Sequence, residues 1–376
     1  MGIYDIAEFC RKSLPEGLYY IINELYSNIR YSFTHKYSIE ISDVCNLKCP
    51  TCVNAYREGG GHSDEPFMKK EKFVQIIEKI SKHSVLKKII ELYNWGEPLL
   101  HPEVDDFVRI AKAKGFIVWL SSNLNNADNL EKAIKEEPDL FCVSVSGFNQ
   151  DNYKITHAGG NIELVKENMK KLREYKNKYN SKTTVLVAFH IYKHNVEDMK
   201  KMYKFSKSLK FIFLPYLASA NVGITQLLAH LYKAVPLVND INEYLLIQPR
   251  SILEHMQTRR HRTNYCRLRN KNTAINSDGT LDICCGTKRE LLSDKPFLEL
   301  PLKEIEHLKF KHPLCKTCLA NGLPDFSNYN ISGIRKMRAN ALQQYLDITN
   351  FNHIYDYLEK STVSTDIIDD NRKHLG

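Results

Sequence analysis

From about residue 37 to residue 218 the chain alternates two patterns. A short apolar run rich in β-branched and aromatic residues is followed by a lysine-rich stretch whose apolar positions recur at helical spacing. Strands are predicted over Tyr37–Val44, Lys88–Tyr93, Phe116–Ser121, Leu140–Val145, Thr184–Ile191 and Phe211–Tyr216, and helices over Lys69–Lys82, Val104–Lys114, Ala127–Lys135, Ile162–Tyr175 and Val196–Leu209. Strands that alternate with helices pair in parallel, so the body is α/β. Periodicity leaves open whether the sheet is open and doubly wound or a partial or full barrel. In each case ligands gather at the carboxyl ends of the strands. There the chain places Cys45, Gly96 with Glu97, Ser122 with Asn123, and Ser146 with Gly147.

On either side of this body the pattern changes. Ile6, Phe9, Leu18, Ile21, Ile22 and Leu25 stand at roughly helical spacing and predict an N-terminal helical segment over 1–36. Residues 219–258 are mostly apolar-periodic and extend the core domain to 37–258. A second, cysteine-bearing domain is expected over 259–330, with Asp278 and Gly279 turning a hairpin between short strands. A helical tail is expected over 331–376, its end polar enough to fray.

The chain has 376 residues, 43% of them hydrophobic and 26% charged, which suits one large domain and a smaller one. No long apolar run and no secretory leader is evident, so a cytoplasmic protein with no membrane association is expected. The net charge of +9 is dispersed over polar helix faces, which predicts a solvated basic surface and no nucleic-acid partner. The exception is Arg259, Arg260, His261 and Arg262, followed by Arg267 and Arg269 around Cys266. Ten cysteines in a reducing compartment point to metal binding and away from disulfides. They cluster as Cys45, Cys49 and Cys52 near the start and Cys266, Cys284, Cys285, Cys315 and Cys318 near the end. Cys10 and Cys142 stand apart in apolar contexts and are expected in the core.

Cys45, Cys49 and Cys52 form a Cys-x3-Cys-x2-Cys loop directly after the first strand. Three thiolates on a four-iron cluster leave one iron open to an outside ligand. Structural zinc, the other reading, wants a fourth ligand, and His62 is the neighbour in sequence. Placed after the first strand of such a body, the loop resembles that of the radical S-adenosylmethionine (radical SAM) superfamily. The resemblance implies a partial (β/α)6 TIM-like barrel and a 4Fe-4S cluster on Cys45, Cys49 and Cys52 whose open iron takes S-adenosyl-L-methionine. It also implies cleavage of that cofactor to a 5′-deoxyadenosyl radical. Thr51 stands where many members carry an aromatic residue. Gly96, Glu97 and Pro98 are similar to the motif that holds the cofactor's ammonium group. Ser121, Ser122 and Asn123 resemble the segment that approaches its ribose and carboxylate. Ser144 and Ser146 are candidates for the same pocket, and His190, Lys193 and Asn195 for a cofactor or substrate contact.

Taken alone, Cys266, Cys284 and the Cys315-x2-Cys318 pair read as zinc or cluster ligands. After a radical SAM body they resemble the shortened SPASM region called twitch, a small β-hairpin-plus-helix unit with a second, auxiliary 4Fe-4S cluster. Cys284 and Cys285 point to opposite faces of an extended segment, so one cluster uses only one of them. Cys284 is assigned as ligand. Cys285 is left as a candidate hydrogen-atom donor of the epimerase kind, or as a small buried hydrophobe beside the cluster. Arg267 and Arg269 are expected to offset the cluster's charge or to bind an anionic substrate group. The expected activity is hydrogen abstraction from a small polar substrate, such as a sugar or aminocyclitol, giving oxidation or epimerisation, with a flavodoxin- or ferredoxin-type electron donor. Two alternatives stand beside it: a maturase acting on a ribosomally made precursor peptide, disfavoured by the short N-terminal segment, and a zinc-binding scaffold without radical chemistry.

Overall fold

Apolar runs in strands and apolar stripes on helices meet on one side of a single mixed sheet. The computed structural model describes residues 34–55, 65–85, 87–221, 223–233, 241–251 and 266–323. The predicted N-terminal helices, Cys10, His62, the Arg259–Arg262 run and the tail over 331–376 lie outside the described residues.

Strands β1 (Thr34–Ile39), β2 (Lys87–Glu91), β3 (Ile117–Ser122), β4 (Leu140–Val145), β5 (Thr184–Ile191) and β6 (Ile212–Leu217) each pair in parallel with the next. The crossovers carry helices α1 (Lys70–Ser81), α2 (Val104–Ala113), α3 (Leu130–Lys135), α4 (Gln150–Thr156), α5 (Ile162–Lys178) and α6 (Val196–Ser208). After β6 come α7 (Ile224–Lys233), α8 (Ile241–Tyr244), α9 (Arg267–Lys271), β7 (Asn272–Ile275), β8 (Leu281–Asp282), α10 (Leu302–Lys311) and α11 (Pro313–Ala320). The sheet runs β6-β5-β4-β3-β2-β1-β7-β8, so the C-terminal hairpin continues it beyond β1. β7 lies parallel to β1 and β8 antiparallel to β7. The turn is made at Gly279, whose φ of +89° is a conformation glycine adopts without strain. With β6 and β8 as edges the sheet stays open.

Side-chain alternation settles which kind of sheet this is. Tyr37, Ile39, Ile90, Val118, Phe141, Val143, Val187 and Phe189 share one core cluster with Phe73, Ile76 and Ile77 of α1, Phe107 and Val108 of α2, and Met169 and Leu172 of α5. The positions between them, Ile89, Trp119 and Leu140, pack in a separate small cluster on the other face. A doubly wound sheet is covered by helices on both faces; here the crossover helices share one, as in a barrel. The fold is therefore α/β with a partial, unclosed TIM-like barrel. Burial of each large side chain in the main cluster contributes about 1.5–3 kcal/mol.

The first strand ends earlier than its apolar pattern suggests. Glu40 N–H still donates to the Ile275 carbonyl, but Ile41 and Asp43 pair with Met68 and Pro66 instead of the sheet. Ile39 and Ile41 are both fully buried, so alternation alone does not mark where the strand stops. Helix α4 escaped the pattern because it is short and polar; its start is fixed by Asn149, whose side chain accepts from Asn152 N–H.

Candidate functional site

The thiol loop leaves β1 at the carboxyl rim of the sheet. Its shape is fixed by backbone bonds from Lys48 N–H to the Ala158 carbonyl, from Cys52 N–H to the Cys49 carbonyl, and between 51–53 and Asn221. Burial pushes the Cys45 thiol up to about 12, with Glu97 adding to it, and Cys49 is raised by burial and by Cys52 and Cys45 beside it. Burial raises Cys52 as well. The thiols thus disfavour one another's charge, and a metal that takes their protons reverses this. Thr51 Oγ1 lies 3.0 Å from the Tyr192 hydroxyl, so an aromatic residue from the end of β5 reaches the place where the loop itself has none.

The Asn94–Pro98 turn is locked to this loop from below. Trp95 and Gly96 N–H groups donate to one oxygen of the buried Glu40 carboxylate at 2.8 and 2.6 Å, and Glu97 N–H donates to the Val44 carbonyl. A Cβ on Gly96 would stand 1.8 Å from the Ser42 carbonyl oxygen, so no other residue fits. The Glu97 carboxylate accepts from Leu99 N–H at 3.1 Å and Asn123 N–H at 2.8 Å. It thereby ties the β2 turn to the end of β3, and burial, outweighing these donors, pushes it up to about 7. Pro98 starts a short 3-10 turn beside it.

Of the remaining rim candidates, Asn123 reaches the thiol loop: its amide donates to Asn46 Oδ1 at 2.9 Å and lies 3.8 Å from Cys45 Sγ. Ser122 is turned to its own backbone, accepting from Leu124 N–H. Ser146 is fully buried, with its hydroxyl against Thr156 and His157. Asn195 bridges the Ser146 and His190 carbonyls. Ser144 faces His190 Nε2 at 3.1 Å, and the Tyr216 hydroxyl approaches the same nitrogen at 2.6 Å.

Ser144, His190 and Tyr216 belong to a polar layer on the face of the sheet opposite the crossover helices. Lys36 pairs with Glu91 at 2.8 Å and lies over the Trp119 ring, while Ser38 donates to the other Glu91 oxygen. Burial raises the Tyr93 phenol, with Glu91, Cys142, Tyr216 and Cys285 around it, and lowers His190 to about 4, leaving it neutral at pH 7. Cys142 is accordingly not a core residue: it alternates with the buried Phe141 and Val143 and sits half-buried on this inner face. Lys36, Ser38, Glu91, Tyr93 and Tyr216 escaped the sequence reading. Their signal was polar groups at alternate positions of otherwise apolar strands.

Cys266, Cys284, Cys315 and Cys318 line one cavity of about 240 Å³ whose other walls are mainly apolar, among them Ile224, Leu227, Leu314 and Leu319, with Trp95 and Arg269 also lining it. Cys285 does not line it; its electrostatic neighbours are Glu91, Lys36, Lys309 and Cys266, and burial pushes its thiol up to about 12. Among the described residues no three His, Cys, Asp or Glu side chains meet closely enough to hold a single metal ion. What the four thiols share is a volume, not a point. Arg269 lies 4.1 Å from the Phe310 ring centre, and its N–H faces Cys266 Sγ.

The C-terminal segment also reaches the first loop. Lys288, 3% exposed, pairs with Asp43 at 2.9 Å and donates to Asn54 Oδ1. Arg289 holds the other Asp43 oxygen at 2.7 Å and also pairs with Asp278. Trp95 Nε1 donates to the Thr287 carbonyl.

Comparison with known proteins bears on the first part of the chain. The radical SAM superfamily model matches residues 39–206, from the end of β1 into α6. Residues 39–206 are a radical SAM domain. Over 176 residues the chain is 27% identical to the tungsten-containing aldehyde ferredoxin oxidoreductase cofactor-modifying protein of Pyrococcus furiosus, covering 46% of this chain and 48% of that protein. Over 142 residues it is 28% identical to a probable GTP 3′,8-cyclase of Methanococcus maripaludis, covering 37% and 45%. The chain thus spans about half the length of the curated relatives it matches. In fold it is similar to SuiB of Streptococcus suis bound to its precursor peptide SuiA, with a TM-score of 0.51 at 13% identity over 78% of this chain and 69% of that one. SuiB bound to S-adenosylmethionine gives 0.50 at 13% identity over 84% and 77%. A radical SAM domain implies one 4Fe-4S cluster and S-adenosylmethionine. Among the described residues no helix is long and apolar enough to cross a membrane.

Proposed function

We propose that Cys45, Cys49 and Cys52 hold the 4Fe-4S cluster of the radical SAM domain, and that Cys266, Cys284, Cys315 and Cys318 hold a second one in a twitch-like unit over 259–330. Held by the three first-loop thiols, a reduced cluster would supply the electron for cleaving bound S-adenosylmethionine, the chemistry by which hydrogen would be taken from substrate. The chain's own part is placement. Glu40 and Glu97 fix the Gly96–Pro98 turn, whose backbone is offered to the cofactor's ammonium group, and Asn123 stands next to Cys45 at the same rim. The inner face of the sheet, with Glu91, Tyr93, His190 and Tyr216, offers hydrogen-bonding groups to a small polar substrate. The reaction is oxidation or epimerisation, served by a flavodoxin- or ferredoxin-type donor.

The observation that carries this reading is the separation of the adjacent thiols: Cys284 lines the four-thiol cavity while Cys285 neighbours Glu91 on the inner face. In the epimerase version the Cys285 S–H bond breaks to give a hydrogen atom to the substrate carbon radical, and the C–H bond forms. The electron and proton that restore the thiol come from the external donor and water. The first test is anaerobic reconstitution with iron and sulfide, then dithionite and S-adenosylmethionine. About eight irons per chain with release of 5′-deoxyadenosine supports the reading; a colourless, zinc-holding protein that releases none overturns it in favour of a scaffold. With a substrate in hand, Cys285→Ala turning over fully, with no solvent deuterium in the product of either protein, removes the epimerase version. Micromolar binding of a precursor peptide would move the substrate class to peptides.

A further inference from the structure

A buried lysine has thiols of the second set among its electrostatic neighbours, and its hydrogen-bond partners among the described residues are neutral. Lys309, on α10, is 1% exposed. Its ammonium donates to the Asn272 carbonyl and lies 3.4 Å from the Thr273 hydroxyl oxygen. Glu306, one turn earlier, is half exposed and faces His83 at 4.0 Å. Glu306 also acts on Lys309; the other titratable groups that face it among the described residues are His35 on β1 and the thiols of Cys284, Cys285 and Cys315 from the β8 end and α11. Removing an ammonium from water with no anion beside it costs several kcal/mol, and proteins meet that cost by bringing in a counter-charge. The lysine near the first loop is different, because Lys288 already has the Asp43 carboxylate at 2.9 Å.

We propose that Lys309 is the fixed counter-charge of an anionic cluster in the Cys266, Cys284, Cys315 and Cys318 cavity and sets that cluster's reduction potential. The inference rests on the two-cluster reading above. Bound by four thiolates, a cluster becomes more negative by one charge on reduction, and a buried cation beside it favours that form. Arg269, which lines the cavity itself, is a second cation acting on Cys315 and adds to the same effect. Lys309 is a positioning charge: it acts on the cluster's electronics and touches no substrate.

The test compares wild type with Lys309→Met and Lys309→Gln, reconstituted as full chains and titrated by electron paramagnetic resonance against a potential scale. A parallel set lacking the first-loop thiols (Cys45→Ala, Cys49→Ala, Cys52→Ala) identifies the second cluster's couple. Both variants are expected to lower the reduced-to-oxidised ratio of that couple at least tenfold at a fixed potential, about 59 mV for one electron, and to leave the other couple in place. Glutamine keeps a donor for the Asn272 carbonyl, so it decides the matter if methionine disturbs folding. A shift in Lys309→Met with none in Lys309→Gln assigns the effect to packing and overturns the inference. About eight irons with both couples unmoved also overturns it and leaves the two-cluster reading standing. About four irons in the wild type overturns reading and inference together.

Discussion

The two thiol sets are built from opposite materials. The first sits on a loop at the sheet rim, held from beneath by Glu40 and Glu97, which accept backbone N–H groups, and by the Asp43–Lys288–Arg289 network of ion pairs. The second lines a mainly apolar cavity closed by Leu and Ile side chains, with Lys309, whose hydrogen-bond partners among the described residues are neutral, as an electrostatic neighbour of its thiols. A polar, hydrogen-bonded rim can offer groups to a second ligand that must come and go. The four-thiol cavity is mainly apolar, with Ser219, Asn221 and Arg269 as the few polar residues beside its thiols. Site chemistry and site lining therefore agree: three thiols where an outside ligand is expected, four where none is.

The strongest way to break this contrast is to remove one thiol from each side. Cys49→Ala should lose the first cluster, leave about four irons per chain and release no 5′-deoxyadenosine. Cys318→Ala should lose a similar amount of iron yet still release it from S-adenosylmethionine. Iron analysis beside product chromatography reads both, and equal loss of product in the two variants would remove the division of labour.

Next in size is the charge network, which sharpens the comparison by making the first site resemble the second. Asp43→Asn leaves the buried Lys288 without its paired carboxylate, while Arg289 keeps Asp278, and should cost about 3–5 kcal/mol. Urea unfolding of the metal-free protein measures it. A cost below about 1 kcal/mol would mean that the network is solvated and that the C-terminal segment is held to the loop by other contacts.

Gly96→Ala follows. The added methyl meets the Ser42 carbonyl oxygen, a backbone atom with no room to yield, and should cost about 1–3 kcal/mol through displacement of the turn. The turn's proposed part is at the cofactor, although its Trp95 also lines the four-thiol cavity; S-adenosylmethionine binding by calorimetry should therefore weaken more than the four-thiol site loses iron.

How far the sequence foretold these sites depends on the range of the interaction. The parallel body, the hairpin at Asp278–Gly279 and the placing of Cys45, Gly96 and Asn123 at one rim follow from local periodicity and strand polarity. The open barrel does not follow from periodicity, because the choice rests on which face the helices share. Lys288 and Arg289 stay invisible because their anion, Asp43, lies more than two hundred residues away, and no local pattern links them. Glu97 was legible as a rim carboxylate but not as the acceptor for Asn123 N–H, because that bond needs the β2 and β3 ends in register. Lys309 reads in sequence as one more lysine of a polar helix; only the fold turns it inward.

The last effect expected is a pH slope to which the rim contributes through Glu97. Burial holds the Glu97 carboxyl up to about 7, against an ordinary value of 4.5 when unfolded. Between those values the folded chain binds a proton that the unfolded chain has released, so stability falls as pH rises through this window and is level above it. Each pH unit changes stability by up to about 1.4 kcal/mol. Asp282, raised by burial to about 7, contributes in the same direction, so the total slope does not isolate Glu97. Glu97→Gln does: it keeps an acceptor oxygen for one of the two N–H groups, cannot titrate, and should remove part of the slope between pH 5 and 7 in urea unfolding of the metal-free protein. An unchanged slope would show that Glu97 is already ionised at pH 5, its charge carried by Leu99 and Asn123 N–H, and the rim would then hold one more fixed negative charge beside Cys45.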